Sequence, residues 1–257
     1  MSSLRGGRYK ALFLDVGDTL VYAHPSSAEV MATVLAEAGL DVSPAAIEAA
    51  DGRVWSRVRA RQAELQAASP DGEALYSVSA ENSERFWVWV YDEFLGILGI
   101  PEGARPDLAR RLHARFSALE TWRLYPDALP FLREIEGRRG RDGLVVGVVS
   151  NWEDWLEALL ISLEVHRYFD FLVASAGVRS EKPHPAIFRA ALERAGTRPE
   201  ETLHVGDSLT ADVGGARASG IAPVLLDRRG RYTPDEAAGA TIIRSLEELP
   251  ALLDADG

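Results

Sequence analysis

Five short apolar runs along the chain alternate with longer stretches in which apolar residues recur at helical spacing. The runs are Ala11–Leu14, Leu144–Val149, Phe171–Ala174, Thr202–Val205 and Ala222–Leu226. They are rich in Val, Leu and Phe and lack a clean apolar/polar alternation, as strands covered on both faces do. A weaker run, Thr241–Ile243, precedes a helical pattern around Leu246–Leu253. Strand runs alternating with helical ones predict an α/β fold, a parallel sheet with helices on both faces.

The stretch from Val21 to Thr121 breaks this rhythm, because it holds no buried parallel strand. Ala28–Ala38 reads as a helix stopped by Gly39. Ser43-Pro44 ahead of Ile47-Glu48 reads as an N-cap with proline at the first helical position. Arg53–Ala67 is helical and basic along one side, Ala68–Gly72 is a loop, and helices resume over Asn82–Leu98 and Pro106–Thr121. Phe86–Tyr91, six aromatic or β-branched residues in a row, also suits a strand, but its flanks favour a helix. The pattern predicts an α/β core, residues 1–21 and 122–257, interrupted after its first strand by a helical insert, residues 22–121.

Composition narrows the classes of function. Hydrophobic residues make up 47% and charged residues 26%, as in ordinary globular chains. The formal net charge of −11 argues against a nucleic-acid partner, since no such field holds a phosphate backbone non-specifically. Cysteine is absent, which excludes disulfides, thiolate catalysis and Cys-bound zinc. The polar segment Met1–Lys10 carries no signal-peptide pattern, and no apolar run reaches membrane-spanning length, so a cytoplasmic protein is expected. Of the 28 Lys and Arg residues only Lys10 and Lys182 are lysine, so chemistry that needs a lysine has two candidates.

Four short motifs fall at strand ends in chain order. Asp15 follows the first run directly and opens the polar turn Val16-Gly17-Asp18-Thr19, the place where open parallel sheets put their ligand crevices. The second run ends in Ser150-Asn151. Lys182 lies in Ser180-Glu181-Lys182-Pro183, just before a helix over Ala186–Ala195. The fourth run continues as Gly206-Asp207-Ser208-Leu209-Thr210-Ala211-Asp212. Singly, each has a bland reading as a turn, a cap or a surface lysine. Together they suit phosphoryl transfer: a carboxylate nucleophile, acids around a magnesium ion, and a lysine and a hydroxyl for the transferring oxygens.

With these motifs in this order the chain resembles the haloacid dehalogenase-like superfamily, with a helical cap inserted after the first motif. The resemblance spans nearly the whole chain. It implies a Rossmann-like core, Asp15 as nucleophile, Ser150 and Lys182 as ligands of the phosphoryl oxygens, and Mg²⁺ held by Asp15, the Gly17 carbonyl and Asp207. Asp212 would orient the lysine or the metal's water ligands, while Asn151 would sit at the substrate and Asp18, Thr19 and Gly206 would support the site. A small phosphorylated, anionic metabolite is the implied substrate; the oligomeric state is not legible.

One position departs from the phosphatase pattern. The superfamily's phosphatases carry an acid/base Asp two residues after the nucleophile; here Gly17 stands there and the acid is displaced to Asp18. A missing acid/base typically costs about 10²–10⁴-fold, so slow turnover is expected unless Asp18, His24 or the substrate carries the proton. The superfamily's 2-haloacid dehalogenases also lack that Asp and work without metal, but they usually have Ser-Asn where this chain has Gly206-Asp207. A phosphonatase would need a cap lysine, and Val21–Thr121 has none. The expectation is therefore a Mg²⁺-dependent phosphatase. The alternatives are a metal-independent 2-haloacid dehalogenase-type hydrolase and a low-turnover binding or regulatory protein of the same fold. Arg53, Arg57 and Arg61 form a basic stripe, expected as a solvated face.

Overall fold

The computed structural model describes residues 9–68, 77–237 and 239–254. Of the predicted loop Ala68–Gly72, Ala68 closes a helix and the rest lies outside the described residues, as does the N-terminal segment through residue 8. The strands are β1 (Ala11–Leu14), β2 (Val21–Ala23), β3 (Trp122–Leu124), β4 (Val145–Ser150), β5 (Phe171–Ala174), β6 (Thr202–Gly206), β7 (Ala222–Leu226) and β8 (Thr241–Ile243).

The chain divides into two compact units, one containing the described residues to Val21 and from Leu124 onward, the other Tyr22–Arg123. The first unit is built on a six-stranded parallel sheet in the order β5-β4-β1-β6-β7-β8. Ala11 pairs with Val145 on one side and Thr202 on the other, and Leu14 with Val148 and Val205. All four β1 residues are fully buried, which is why β1 reads as an unbroken apolar run. The helices Ala128–Asp142 and Pro185–Ala195 bury Phe131, Leu132, Ile187 and Phe188. From β1 the chain visits β4 and β5 on one side before crossing to β6, β7 and β8 on the other. The C-terminal end of β1 is thus at the switch point of the sheet, where such folds gather ligand-binding groups.

The second unit is helical: α1 (Ser27–Glu37), α2 (Pro44–Ala68), α3 (Ala80–Ile97) and α4 (Arg105–Phe116). Ser26 caps α1 by accepting from Glu29 N–H, and Ser79 caps α3 by accepting from Asn82 N–H. Phe86–Tyr91 lies within α3. Two expectations are corrected. The separate helices at Pro44 and Arg53 are one continuous α2, whose Ile47, Ala50, Val54 and Val58 bury one stripe through Gly52, because a helical Gly costs only about 1 kcal/mol. The helix expected over Pro106–Thr121 ends at Phe116, and a 3₁₀ turn (Leu119–Thr121) leads into β3. The two short strands β2 and β3, which pair with each other, were not legible in the sequence. Of the basic stripe, Arg57 pairs with Glu93 and Arg61 lies 5.6 Å from the Trp89 ring centroid. Among the described residues no helix is long and apolar enough to cross a membrane.

Candidate active site

At the end of β1 the turn folds back onto one carbonyl: Val16 O accepts from the N–H groups of Thr19, Leu20 and Val21. The tight reversal holds Asp18 at φ 51°, a left-handed conformation that a non-glycine residue adopts at a cost. The backbone N–H of Asp15 donates to Val205 O on β6, so the loop at Asp15 is fixed to the neighbouring strand.

The sheet then brings the sequence-predicted groups together. Ser150, the last residue of β4, donates its hydroxyl to Asp15 Oδ1 at 2.8 Å. Lys182 Nζ donates to the same oxygen at 2.7 Å and to Asp212 Oδ1 at 2.6 Å. Both hydrogen bonds to Asp15 thus fall on Oδ1 and leave Oδ2 outside them. Lys182 is only 4% exposed, and a lysine so buried keeps its charge only through partners. Burial works against its ammonium, but Asp15 and Asp212 outweigh that and raise its pKa.

Asn151, expected at the substrate, lies against the Lys182 backbone. Its Oδ1 accepts from Lys182 N–H at 2.6 Å and its Nδ2 donates to Lys182 O at 2.9 Å. Both ends of the amide therefore clamp the lysine's backbone.

Asp15, Asp207 and Asp212 offer carboxylate oxygens that lie within 4.8 Å of one another. Burial raises the Asp15 pKa against the pull of Lys182. Burial also opposes the charge of Asp212, but Lys182 and His204 outweigh it and hold that carboxyl well below the usual range. Asp207 is pushed well above the ordinary range, first by burial and then by the charges of Asp18, Asp212 and Asp15. Against them stands Arg231, whose Nη2 is 3.7 Å from Asp207 Oδ2. Lys182 offsets one charge of this cluster; the surplus around Asp207 is the kind that a hard divalent cation with oxygen ligands relieves.

Gly206 is set by packing. A β-carbon there would land on the Asp212 carboxylate, so only glycine lets that acid lie against β6. Thr19 is fully buried, and its Oγ1 has no hydrogen-bond partner. Its carbonyl accepts from Arg228 Nη2 at 2.8 Å, and that guanidinium also grips both oxygens of Asp127. Tyr125 donates its hydroxyl to Asp18 Oδ1 at 3.2 Å, with Arg228 3.9 Å from its ring centroid. Burial and the neighbouring Asp18 charge raise the Tyr125 pKa. The exposed His24 belongs to the helical unit, where its Nδ1 is 3.3 Å from the Tyr22 hydroxyl.

A model of the haloacid dehalogenase-like hydrolase family matches residues 9–220. The chain belongs to that family. Among its relatives, haloacid dehalogenase-like hydrolase domain-containing protein 3 of Danio rerio is 34% identical over 93% of this chain and 94% of the relative. A phosphoserine phosphatase of Thermus thermophilus is 30% identical over 93% and 97%. Solved structures share the fold at low identity. A HAD-hydrolase of Bacillus subtilis bound to magnesium has a TM-score of 0.69 at 18% identity, covering 96% of this chain and 100% of its own. A dehalogenase intermediate complex has 0.69 at 22%, covering 97% and 99%.

Within this haloacid dehalogenase-like hydrolase, four site neighbours were given no site role by the sequence: Trp152, His204, Tyr125 and Arg231. Trp152 follows Ser150-Asn151, and its backbone is held by Ser175, whose hydroxyl accepts from Trp152 N–H and donates to Trp152 O. His204 is a polar residue inside the apolar β6 run, the one signal that could have singled it out. Tyr125 and Arg231 carry no local signal; their places depend on how the loops fold back.

Proposed function

We propose that this hydrolase is a Mg²⁺-dependent phosphatase of a small phosphorylated metabolite, working through an aspartyl-phosphate on Asp15. The observation that carries this reading is the surplus of carboxylate charge at Asp207. A metal-independent dehalogenase site has no use for a third acid beside Asp15 and Asp212, whereas a phosphatase has. Asp15, Asp207 and the Gly17 carbonyl would hold the ion, which, when bound, offsets the charge of the phosphate dianion.

Asp15 Oδ2, the oxygen outside the bonds to Ser150 and Lys182, attacks phosphorus, and the alcohol of the substrate departs with a proton. Water then attacks the aspartyl-phosphate, releasing inorganic phosphate and restoring the carboxylate. The Ser150 hydroxyl and Lys182 ammonium turn to the equatorial oxygens, where charge develops. Asn151 keeps Lys182 in place through its backbone. With Gly17 at the usual acid/base position, the exposed Asp18 carboxylate, hydrogen-bonded by Tyr125, is the proton carrier nearest in sequence. The helical unit is the part assigned to substrate selection.

A second reading, the 2-haloacid dehalogenase-type hydrolysis, is favoured by one observation: a β-carbon on Gly17 would press on the Trp152 ring at 3.3 Å, so a phosphatase acid/base there would require that ring to shift. A phosphorylated-metabolite panel with Mg²⁺, run alongside 2-haloacids, separates the two. Phosphate release that stops with chelator supports the phosphatase. Halide release that survives chelator, without phosphate release, overturns it.

A further inference from the structure

β6 is apolar on both sides of His204, and His204 itself is fully buried. Placing an imidazole there is costly unless the ring is hydrogen-bonded. One nitrogen is: Nε2 lies 2.9 Å from Asp212 Oδ1. The other, Nδ1, is buried with no hydrogen-bond partner. The ring is held edge-to-face against Phe188, centroids 5.2 Å apart.

The partners of Asp212 fix the tautomer. Its Oδ1 accepts from Lys182 Nζ and its Oδ2 from Ser208 N–H at 3.0 Å. An ionised carboxylate only accepts, so the proton of the imidazole is on Nε2. His204 thereby supplies a donor to Asp212. An arginine or lysine in its place would compete with Lys182 for the same oxygen; a leucine would leave that oxygen tethered from one side only.

We propose that His204 is a positioning residue: its Nε2–H holds the Asp212 carboxylate so that Lys182 is drawn into the bridge between Asp212 and Asp15. The chain of contacts runs His204, Asp212, Lys182, Asp15, each link 2.6–2.9 Å. Its catalytic consequence rests on the phosphatase reading above.

The experiment uses the full chain and two variants, His204→Leu, which removes the donor, and His204→Gln, whose side-chain amide reaches the Nε2 position. Hydrolysis of an aryl phosphate with Mg²⁺ is measured together with the melting temperature. Loss of a group that orients an active-site ligand typically costs about 10–100-fold. His204→Leu is expected to lose that much in kcat with KM retained, and His204→Gln to recover most of it. His204→Leu at native kcat, or His204→Gln no better than His204→Leu at matched melting temperature, would overturn the proposal. A ¹H–¹⁵N spectrum of the imidazoles in the native chain gives a second, activity-free decision. It is expected to show His204 as the Nε2–H tautomer with a slowly exchanging ring proton; an Nδ1–H tautomer would overturn the proposal even if neither variant folds. A native chain that leaves aryl phosphate intact rejects the phosphatase reading alone, and the spectrum still decides the contact with Asp212.

Discussion

The indole of Trp152 stands 3.3 Å from the point that a β-carbon on Gly17 would occupy. The backbone of Trp152 is tied to Ser175 and its ring packs edge-on against Trp155, centroids 5.1 Å apart. Restoring the usual acid is therefore not a matter of one residue. Gly17→Asp alone is expected to destabilise the chain by about 1–3 kcal/mol, the usual cost of overpacking, and to gain little turnover. Adding Trp152→Ala should recover the stability and raise phosphate release, a non-additive pair. Denaturant titrations and rates on all four members of the cycle check this; additivity would show that the ring does not hold the position.

Asp15→Asn should bring phosphate release to the background, because it removes the proposed nucleophile. Lys182→Met should do so too, and for a second reason. It leaves Asp15 and Asp212 buried without their shared cation, which typically costs about 3–5 kcal/mol. Asp15→Asn should be much milder in urea than Lys182→Met; equal losses of stability would contradict the bridge.

Asp18→Asn tests the displaced acid. If Asp18 moves the proton, kcat falls by about 10²–10⁴-fold while the fold is kept, since its carboxylate is exposed. Tyr125→Phe, which removes the hydrogen bond to Asp18, should have a smaller effect in the same direction. Native rates in Asp18→Asn would return the role to the substrate itself.

Asp127 makes the acid limb of stability readable. Burial opposes its charge, but Arg228, the Leu246 N–H and Ser245 outweigh burial and hold the carboxyl below its ordinary value. A carboxylate depressed in the folded state stabilises above its unfolded value, and that contribution drains away as pH falls through the folded one. Asp127→Asn should cost about 1–3 kcal/mol at neutral pH, and the gap to the native chain should narrow below about pH 4. A gap independent of pH between 7 and 3 would contradict the assignment.

The sheet was legible because parallel strands buried on both faces become apolar runs; β1, β5, β7 and β8 occupy the residues expected. β2 and β3 were not, since three residues with half-exposed positions leave no period to read. The acids, Ser150 and Lys182 stood out as polar groups where apolar runs stop, and the structure gathers them. Their neighbours did not stand out. Trp152 looked like any loop aromatic, because the hydrogen bonds that define it are made to a residue distant in sequence.

The placement of β1 between β4 and β6 also governs how the protein is made. β1, which Asp15 follows directly, leaves the ribosome well before its sheet partners, from Val145 and Thr202 onward. Until then β1 is an unpaired apolar strand, followed by the helical unit, which can fold first. Pairings so remote in sequence are slow to form, and an exposed strand of this kind invites aggregation or chaperone capture. A nascent chain stalled before Asp207 would hold Asp15 without the acids that the sheet gathers around it.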